Sequence, residues 1–448
     1  MMNKKVLFVS LGCDKNLVDS EMMLGMLAQN GYEFTDDERE ADIVVVNTCC
    51  FINDAKEESI NTILEMAELR KSGDIEALIV AGCLAQRYKE EIQEEIEEVD
   101  AIIGTMAIDE VVKTLNEVLH GKHENHYKSL DTRPLTGVER VVTTGGHYAY
   151  LKIAEGCNKR CTYCVIPRVR GDYRSVPMEE LLCEAQKLAD KGVKELILVA
   201  QETTLYGVDL YGQKKLPELL RGLCKIDGIY WIRLLYCYPE EIDEELIRVI
   251  REEPRICHYL DLPIQHASDR ILQKMGRRTR REELTGIINR LREEIPDICL
   301  RTTLISGFPG ETQEDHEELM AFVDEMEFDR LGVFTYSQEE DTPAAEMPDQ
   351  IPEEVKKERQ EQIMELQQEI AFELAERMTG KTVMAMIEGK VTQDDVYVAR
   401  TYKDAPNVDG FLFINTTREL MTGDFVRVRI TGSNEYDLIG ELEDEFTK

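Results

Sequence analysis

The chain has 448 residues, of which 43% are hydrophobic and 32% are charged, as is usual for globular domains with an apolar core. Its formal net charge of −36 repels phosphate backbones and favours basic partners, so it argues against a nucleic-acid substrate. No apolar run approaches the roughly 20 residues of a membrane span, and the first residues resemble a strand more than a signal peptide. We therefore expect a cytoplasmic protein of about three domains, whose 12 cysteines are metal ligands or buried thiols rather than a disulfide framework.

The first 105 residues alternate between strand-like and helix-like segments. Apolar, β-branched runs predict strands at residues 6–10, 42–46, 77–80 and 101–104. Helical spacing of apolar residues predicts helices over residues 17–29 and 54–69 and from residue 85. Strands that alternate with helices form parallel sheets, so we expect a parallel α/β sheet domain over residues 1–130.

One cysteine follows each of the first three predicted strands: Cys13, Cys49 and Cys83. Open α/β sheets bind ligands at the carboxyl ends of their strands, so these thiols meet at one edge if the strands are neighbours. The repeated placement favours a metal-ligand set over the alternative, three small buried hydrophobic residues. Cys50 would point to the opposite face, and we expect it to be a bystander.

A second domain, predicted over residues 143–375, follows a linker at residues 131–148 that contains Pro and Gly. Its strands are predicted at residues 150–154, 195–200, 231–236, 259–263, 300–305 and 331–336. Six strand–helix units predict an open, partial (βα)6 barrel, with the active site at the carboxyl ends of its strands.

The loop after the first barrel strand carries Cys157, Cys161 and Cys164, spaced C-x3-C-x2-C. Three thiolates at this spacing can ligate three irons of a 4Fe–4S cluster and leave the fourth iron without a protein ligand. Zinc sites usually close with four ligands, and ferredoxins supply a fourth Cys. The open iron is what a radical S-adenosylmethionine (SAM) enzyme requires, because SAM chelates it. The alternative is three unrelated thiols.

Polar and glycine-rich segments follow other barrel strands. The segment at residues 306–311 (SGFPGE) would let backbone approach a cofactor closely, but it is equally compatible with an ordinary strand-to-helix turn. At the strand end that carries His266, a structural, hydrogen-bonded histidine is favoured over an acid–base group. A basic set surrounds the Cys loop and either holds an anionic ligand or forms a solvated rim: Lys159, Arg160, Arg168, Arg170 and Arg174.

The last part of the chain predicts a long helix over residues 352–378 and then a small antiparallel β-barrel over residues 378–446. Short strands at residues 383–387, 396–399, 410–414 and 425–430 are separated by Gly, Asn and Asp turns. Small barrels often bind nucleic acid. However, residues 376–448 hold 14 acidic and 9 basic side chains, which favours a basic protein as partner.

Taken together, these motifs resemble the methylthiotransferases of the radical SAM superfamily over essentially the whole chain. The matching segments are residues 10–21 (SLGCDKNLVDSE), 47–49 (NTC), 155–171 (EGCNKRCTYCVIPRVRG), 262–266 (LPIQH) and 307–311 (GFPGE). The resemblance implies an N-terminal methylthiotransferase domain, a radical SAM domain and a C-terminal TRAM domain. Asp14 and Cys50 depart from the family pattern, and neither is an expected ligand.

The resemblance also implies cofactors and site residues. One 4Fe–4S cluster on Cys157, Cys161 and Cys164 would bind SAM, whose reductive cleavage gives a 5′-deoxyadenosyl radical that abstracts a hydrogen atom from carbon. A second 4Fe–4S cluster, on the three N-terminal cysteines, would carry the sulfur that is methylated and transferred. We expect Gln201, Glu202, Gly307 and Phe308 to contact SAM, and we assign no acid–base catalytic residue.

The substrate implied by the closest branch of the family is an aspartate β-carbon in small-subunit ribosomal protein twelve, a basic protein that suits an acidic enzyme. The enzyme would meet it free or on the ribosome, and it would need an electron donor. The alternative is methylthiolation of a tRNA adenosine, as in the MiaB and MtaB branches. A third alternative is a non-catalytic iron–sulfur or zinc protein, which the barrel and the open-iron spacing disfavour.

Overall fold

The structure is a computed structural model that describes residues 4–391 and 395–443. The predicted outer domain limits, residues 1 and 446, lie outside these ranges. Within the described residues, no helix combines the length and apolar character that a membrane crossing requires.

The N-terminal domain is built on a five-stranded, all-parallel sheet. The strands are β1 (Lys5–Ser10), β2 (Glu33–Thr35), β3 (Ile43–Thr48), β4 (Ala77–Ala81) and β5 (Ala101–Ile103), in the order β2-β1-β3-β4-β5. The four predicted strands are present, and the short edge strand β2 is an addition. The helices are α1 (Asp14–Gln29), α2 (Asn53–Ser72), α3 (Gly82–Tyr88), α4 (Glu91–Glu95) and α5 (Val111–Leu119).

Helices cover both faces of this sheet because its central strands are apolar on both sides. Ile43 and Val45 of β3 belong to a core that includes side chains of α1 and α5. Val44 and Val46 belong to a separate core formed with α2 and α3. The result is a three-layer α/β/α domain.

The central domain is an open, six-stranded parallel sheet, as the strand–helix pattern predicts. Its strands are β6 (Tyr148–Lys152), β9 (Glu195–Val199), β10 (Trp231–Leu234), β11 (Ile256–Asp261), β12 (Cys299–Ser306) and β13 (Arg330–Thr335), paired in that order. A two-stranded antiparallel pair, β7 (Ala154–Glu155) and β8 (Arg174–Ser175), brackets the Cys loop. The helices are α6 (Ile166–Val169), α7 (Met178–Asp190), α8 (Val208–Tyr211), α9 (Leu216–Leu223), α10 (Glu244–Glu252), α11 (Asp269–Lys274), α12 (Arg281–Glu294) and α13 (Gln313–Met326).

The segment predicted as a linker is packed between the two domains. Arg140 is buried and donates to Glu21 of α1, to Glu184 of α7 and to the Tyr150 carbonyl. The segment crosses α1 so closely at Gly25 that an added Cβ would lie 1.7 Å from the Glu139 carbonyl oxygen. This segment therefore ties the N-terminal domain to the barrel.

The C-terminal part consists of α14 (Glu353–Glu376) and a closed five-stranded barrel. The strands are β14 (Thr382–Lys390), β15 (Val396–Thr401), β16 (Leu412–Asn415), β17 (Phe425–Asn434) and β18 (Asp437–Leu442). The last strand was not predicted. It closes the barrel by pairing antiparallel with β17 and parallel with β16.

The loop between β15 and β16 docks at the amino ends of the central strands. Arg233 of β10 donates to the Tyr402 carbonyl over 2.6 Å, and the Tyr259 hydroxyl of β11 donates to Asp409 over 2.8 Å. At the start of β9, Glu195 lies buried between Arg233 and Arg400 of β15. The C-terminal barrel thus covers the end of the central sheet opposite to the Cys loop.

Candidate functional site

Strand register brings the three N-terminal cysteines to one edge of their sheet. Strands β1, β3 and β4 are adjacent, and Ser10, Asn47 and Ala81 are paired across them at the same level. Cys13, Cys49 and Cys83 follow these positions by two or three residues. The condition under which the sequence predicted a common site, that the strands are neighbours, is met.

The loops that carry these cysteines are tightly packed against one another. Gly12 has φ +88°, and a Cβ there would lie 2.8 Å from the Cys49 sulfur. Asn16 links the other two loops, because its Nδ2 donates to the Thr48 carbonyl over 2.8 Å and its Oδ1 accepts from the Cys83 thiol over 3.5 Å. The glycine therefore gives the sulfur room that a side chain would take.

Burial changes the acidity of the N-terminal thiols. It raises the pKa of Cys49 to about 12, with contributions from Cys83 and Cys13, and it raises the pKa of Cys83 as well. Ligation by a metal cluster would displace these protons, because thiolates are the ligands. Cys50 is fully buried in the core that contains Val44, Val46 and also Cys83, and β3 ends before it, at Thr48. Its role as a bystander stays a prediction.

The second set lies in the loop between β7 and α6, beyond the carboxyl end of β6. Cys157 and Cys161 are buried, and the Lys159 backbone N–H points at the Cys157 sulfur over 3.5 Å. Gly156 has φ +79°, and a Cβ there would lie 2.2 Å from the Asp172 carbonyl oxygen. Backbone N–H groups that face cysteine sulfur are a usual feature of iron–sulfur sites.

Each set suits an iron–sulfur cluster better than a single metal ion. Among residues 4–391 and 395–443, no group of three or more His, Cys, Asp or Glu side chains is placed to hold one ion. In a 4Fe–4S cluster each thiolate ligates a different iron, so the sulfurs stand further apart than the ligands of one ion. The chemistry of the donors, three thiols beside glycine and backbone N–H groups, fits such a cluster.

Gln201, one of the predicted SAM contacts, uses its side-chain amide to hydrogen-bond the Cys loop. Its Oε1 accepts from Gly156 N–H, and its Nε2 donates to Glu155, each over 2.9 Å. Glu202 is fully buried, and burial raises its pKa to about 7. Its Oε2 accepts no hydrogen bond from the described residues but lies 3.8 Å from the Lys159 ammonium. Glu202 Oε2 can thus still accept a hydrogen bond beside Lys159, whereas Gln201 holds the loop in place.

Gly307 and Phe308, the other predicted contacts, follow β12, and Phe308 packs against the Cys loop. Their backbone N–H groups both donate to Glu311 Oε2, over 2.8 and 3.1 Å. The buried Phe308 ring packs edge-on against Tyr163, which lies between Cys161 and Cys164, with centroids 6.4 Å apart. The contact between Phe308 and Tyr163 therefore supports the Cys loop.

Arg277 was not singled out from the sequence, yet it borders the Cys loop. Its guanidinium lies 4.3 Å from the Tyr238 ring centroid, and the adjoining Met275 carbonyl accepts from Thr162 N–H over 2.9 Å. Arg277 is buried, and its Nε and one terminal nitrogen have no hydrogen-bond partner among the described residues. A buried guanidinium with free donors can bind a carboxylate. No local sequence signal marks it, because only the fold brings it to the loop.

The basic residues around the Cys loop differ in their surroundings. They form neither a single anion-binding group nor a single solvated rim. The side chains of Arg160 and Arg168 are more than half exposed. Lys159 is instead held by Glu241 over 2.6 Å and Glu240 over 3.2 Å, with Glu202 at 3.8 Å. His266 is fully buried, its Nδ1 accepts from Ser268 N–H, and its Nε2 lies 3.6 Å from Glu311, so its structural role stays a prediction.

Arg170 joins the two cysteine sets. Its Nε donates to the Cys83 sulfur over 3.4 Å, and another nitrogen bonds Asp19 over 2.6 Å and Glu155 over 3.2 Å. Asp19 and Glu155 also bind the buried Lys152. The carboxyl edge of the N-terminal sheet therefore faces the carboxyl edge of the barrel across a buried ionic network.

Comparisons with known proteins agree with this architecture. Residues 5–104 match the model of uncharacterized protein family UPF0004, residues 151–323 match the radical SAM superfamily, and residues 379–442 match the TRAM domain. The chain is 64% identical to the ribosomal protein uS12 methylthiotransferase RimO of Lachnoclostridium phytofermentans, over 98% of this chain and all of that protein. The chain belongs to the RimO family of methylthiotransferases.

A further relative and two solved structures extend the comparison. RimO of Acetivibrio thermocellus is 53% identical over the full length of both chains. The radical SAM methyltransferase TsrM of Kitasatospora setae is 15% identical with a TM-score of 0.54, over 89% of this chain and 81% of that chain. OxsB, a cobalamin-dependent SAM radical enzyme, is 13% identical with a TM-score of 0.50, over 82% and 56%. The two structures share the fold, and family membership makes this chain a radical SAM methylthiotransferase.

Proposed function

We propose that this enzyme adds a methylthio group to the β-carbon of an aspartate in ribosomal protein uS12, using SAM and two 4Fe–4S clusters. The observation that carries the proposal is the pairing of two three-cysteine sets on facing strand edges, joined by Arg170. The relatives are named as uS12 methylthiotransferases, and we take the substrate from that name. The net charge of −36 supports a basic protein substrate over tRNA.

Cys157, Cys161 and Cys164 would hold the cluster that binds SAM, and Cys13, Cys49 and Cys83 would hold the second cluster. When bound, the clusters and SAM supply the electron and the radical chemistry, as well as the methyl group and sulfur. The protein positions these groups and excludes water from them. Three domains, at residues 1–130, 143–375 and 378–446, would divide this work, and the three family matches fall within these limits.

Polar groups with free atoms beside the Cys loop are suited to hold SAM. Arg277 has donors for the SAM carboxylate that no described residue accepts, and Glu202 Oε2, 3.8 Å from the Lys159 ammonium, can still accept a hydrogen bond from SAM. Gln201 and Phe308 would hold the Cys loop in place, and Gly307 would lie behind them. We further propose that the enzyme works in the cytoplasm on free or ribosome-bound uS12 with a separate electron donor.

The test is an anaerobic assay of cluster-reconstituted protein with SAM and a reductant. Purified uS12 and unmodified tRNA are offered in parallel, and products are identified by peptide and nucleoside mass spectrometry. We expect a methylthio group on one uS12 aspartate and none on tRNA. A methylthio-adenosine product would keep the chemistry and overturn the substrate.

A further inference from the structure

Lys15 is a buried lysine for which the described part of the chain offers no carboxylate partner. The residue is 6% exposed, and its Nζ lies 3.2 Å from the centroid of the Tyr236 ring. No ion pair or hydrogen bond of its ammonium is found among the described residues. Lysines this deeply buried are normally paired, because an unpaired buried charge is costly.

The other strongly buried lysines of the described residues show the usual pattern. Lys152 is 8% exposed and bonds Asp19 and Glu155. Lys356 is 2% exposed and bonds Glu353 over 2.5 Å. The face of an aromatic ring attracts an ammonium but accepts no conventional hydrogen bond from it. Lys15 therefore retains donors for an anion that the described residues do not supply.

Lys15 lies beside the N-terminal cysteine set, where this set meets the carboxyl edge of the barrel. Lys15 is in the first turn of α1, two residues after Cys13. Tyr236 follows β10 at the carboxyl edge of the barrel, and its carbonyl accepts from Thr203 N–H over 3.0 Å, beside Glu202. The Tyr236 hydroxyl donates to Asp14 over 3.0 Å, which fixes the ring beneath the ammonium.

We infer that Lys15 binds the side-chain carboxylate of the substrate aspartate, an inference that rests on the proposed function. The carboxylate carbon of aspartate is bonded directly to the β-carbon, so a cation that holds the carboxylate also holds the reacting carbon. The amino end of α1 adds positive potential at the same place. Adenosine has no carboxylate, so Lys15 selects a protein aspartate over a nucleoside.

The competing role for Lys15 is purely structural, as a cation that stabilises the contact between α1 and Tyr236. A structural role predicts equal loss for every substrate. A carboxylate-binding role predicts a loss that depends on the charge of the substrate residue. The experiment therefore compares uS12 with a uS12 variant in which the acceptor aspartate is replaced by asparagine.

The binding of both uS12 forms is measured by fluorescence anisotropy with anaerobic, cluster-reconstituted full-length enzyme. The KM and kcat of methylthiolation are measured by mass spectrometry. The variants are Lys15→Met, Lys15→Gln, which keeps a polar side chain if the first fails to fold, and Lys15→Arg, which keeps the charge. Lys89→Met is the matched control, because Lys89 is an exposed lysine of the same domain whose Nζ lies 5.8 Å from the Tyr127 ring centroid.

We expect Lys15→Met and Lys15→Gln to weaken binding of uS12 at least about 30-fold, since one partner of a buried charge pair is lost. Binding of the asparagine form should change less than about threefold, and Lys15→Arg should restore most of the preference for aspartate. Equal weakening of both forms, or no weakening, would overturn the inference. Failure of the unaltered enzyme to methylthiolate uS12 would instead refute the proposed function.

Discussion

The Nε of Arg170, in the central domain, donates a hydrogen bond to the sulfur of Cys83 in the N-terminal domain, over 3.4 Å. The guanidinium is fully buried and also bonds Asp19 and Glu155. Two carboxylates and one sulfur, drawn from both domains, therefore share this side chain, and Lys152 is a second cationic partner of both carboxylates. A hydrogen bond to a ligand sulfur changes the reduction potential of an iron–sulfur cluster. This contact would therefore couple the barrel to the chemistry of the N-terminal site.

We expect Arg170→Gln to lower the reduction potential of the N-terminal cluster, because a positive donor near the sulfur stabilises the reduced state. It should also destabilise the protein by about 2 kcal/mol, since Asp19 and Glu155 lose one of their two cationic partners and keep Lys152. Potentiometric titration followed by electron paramagnetic resonance, with urea unfolding, measures both effects. The control is Arg168→Gln, whose side chain is 59% exposed. An unchanged potential in Arg170→Gln would show that the contact does not persist in the loaded enzyme.

Removing one cysteine from each set should separate two activities. Cys157→Ala should abolish SAM cleavage, because the loop then has only two of its three thiolates. Cys13→Ala should leave SAM cleavage and lose sulfur transfer to uS12. Cleavage is measured as 5′-deoxyadenosine by liquid chromatography, with the exposed Cys183→Ala as control. Normal methylthiolation by Cys13→Ala would contradict the assignment of a second cluster.

Gly156→Ala should disrupt the Cys loop through a steric clash in addition to backbone strain. The added Cβ would lie 2.2 Å from the Asp172 carbonyl, at φ +79°. Gly146→Ala separates the two effects, because Gly146 has φ +86° and no atom within 4 Å of the added Cβ. We expect a cost of about 1–2 kcal/mol for Gly146→Ala.

For Gly156→Ala we expect a larger loss of stability together with reduced iron binding. Iron content after reconstitution and thermal unfolding are the measurements. Equal behaviour of the two alanine variants would mean that the loop can relax away from Asp172.

Arg400→Met should weaken the attachment of the C-terminal barrel in a pH-dependent way. Arg400 and Arg233 hold the pKa of the buried Glu195 below its usual range despite the opposing effect of burial. A depressed carboxyl pKa stabilises the fold above the unfolded pKa of about 4.3, and this contribution is lost as the pH falls through the folded pKa. We therefore expect a loss of about 3 kcal/mol at pH 7 and a smaller loss at pH 3.5.

Urea unfolding at the two pH values checks this expectation. Arg427→Met, at an arginine whose side chain is 64% exposed, is the control and should cost under about 1 kcal/mol. An Arg400→Met loss that does not depend on pH would mean that packing, rather than charge, attaches the C-terminal barrel.

Strand and helix patterns predicted much of the fold because the central strands are strongly apolar. Ile43, Val44, Val45 and Val46 are all fully buried, and such a run is a clear signal of a two-sided parallel strand. The missed strands lack that signal. β2 has only three residues and is largely exposed, and β18 contains Asp437 and Glu441 and is defined by its pairing across the barrel.

The cysteines of the site could be predicted because local spacing and strand ends identify them. The ionic partners could not, because they come from distant parts of the chain. Asp19 is 151 residues from Arg170, and Arg140 is 119 residues from Glu21. Lys15 and Asp19 lie within the motif that indicated the family, but their contacts become evident only when α1 faces the barrel.

The loop between β15 and β16 lies at the amino ends of the central strands. It thereby limits the side from which substrates can reach the site. With that end covered by Tyr402 and Asp409, SAM and uS12 approach from the opposite edge, where Cys13 and Cys157 lie. A bound uS12 would then cover the SAM site and the 5′-deoxyadenosine that forms there. We expect a compulsory order, in which SAM enters first and spent nucleoside departs last, and in which excess uS12 slows turnover by trapping that nucleoside.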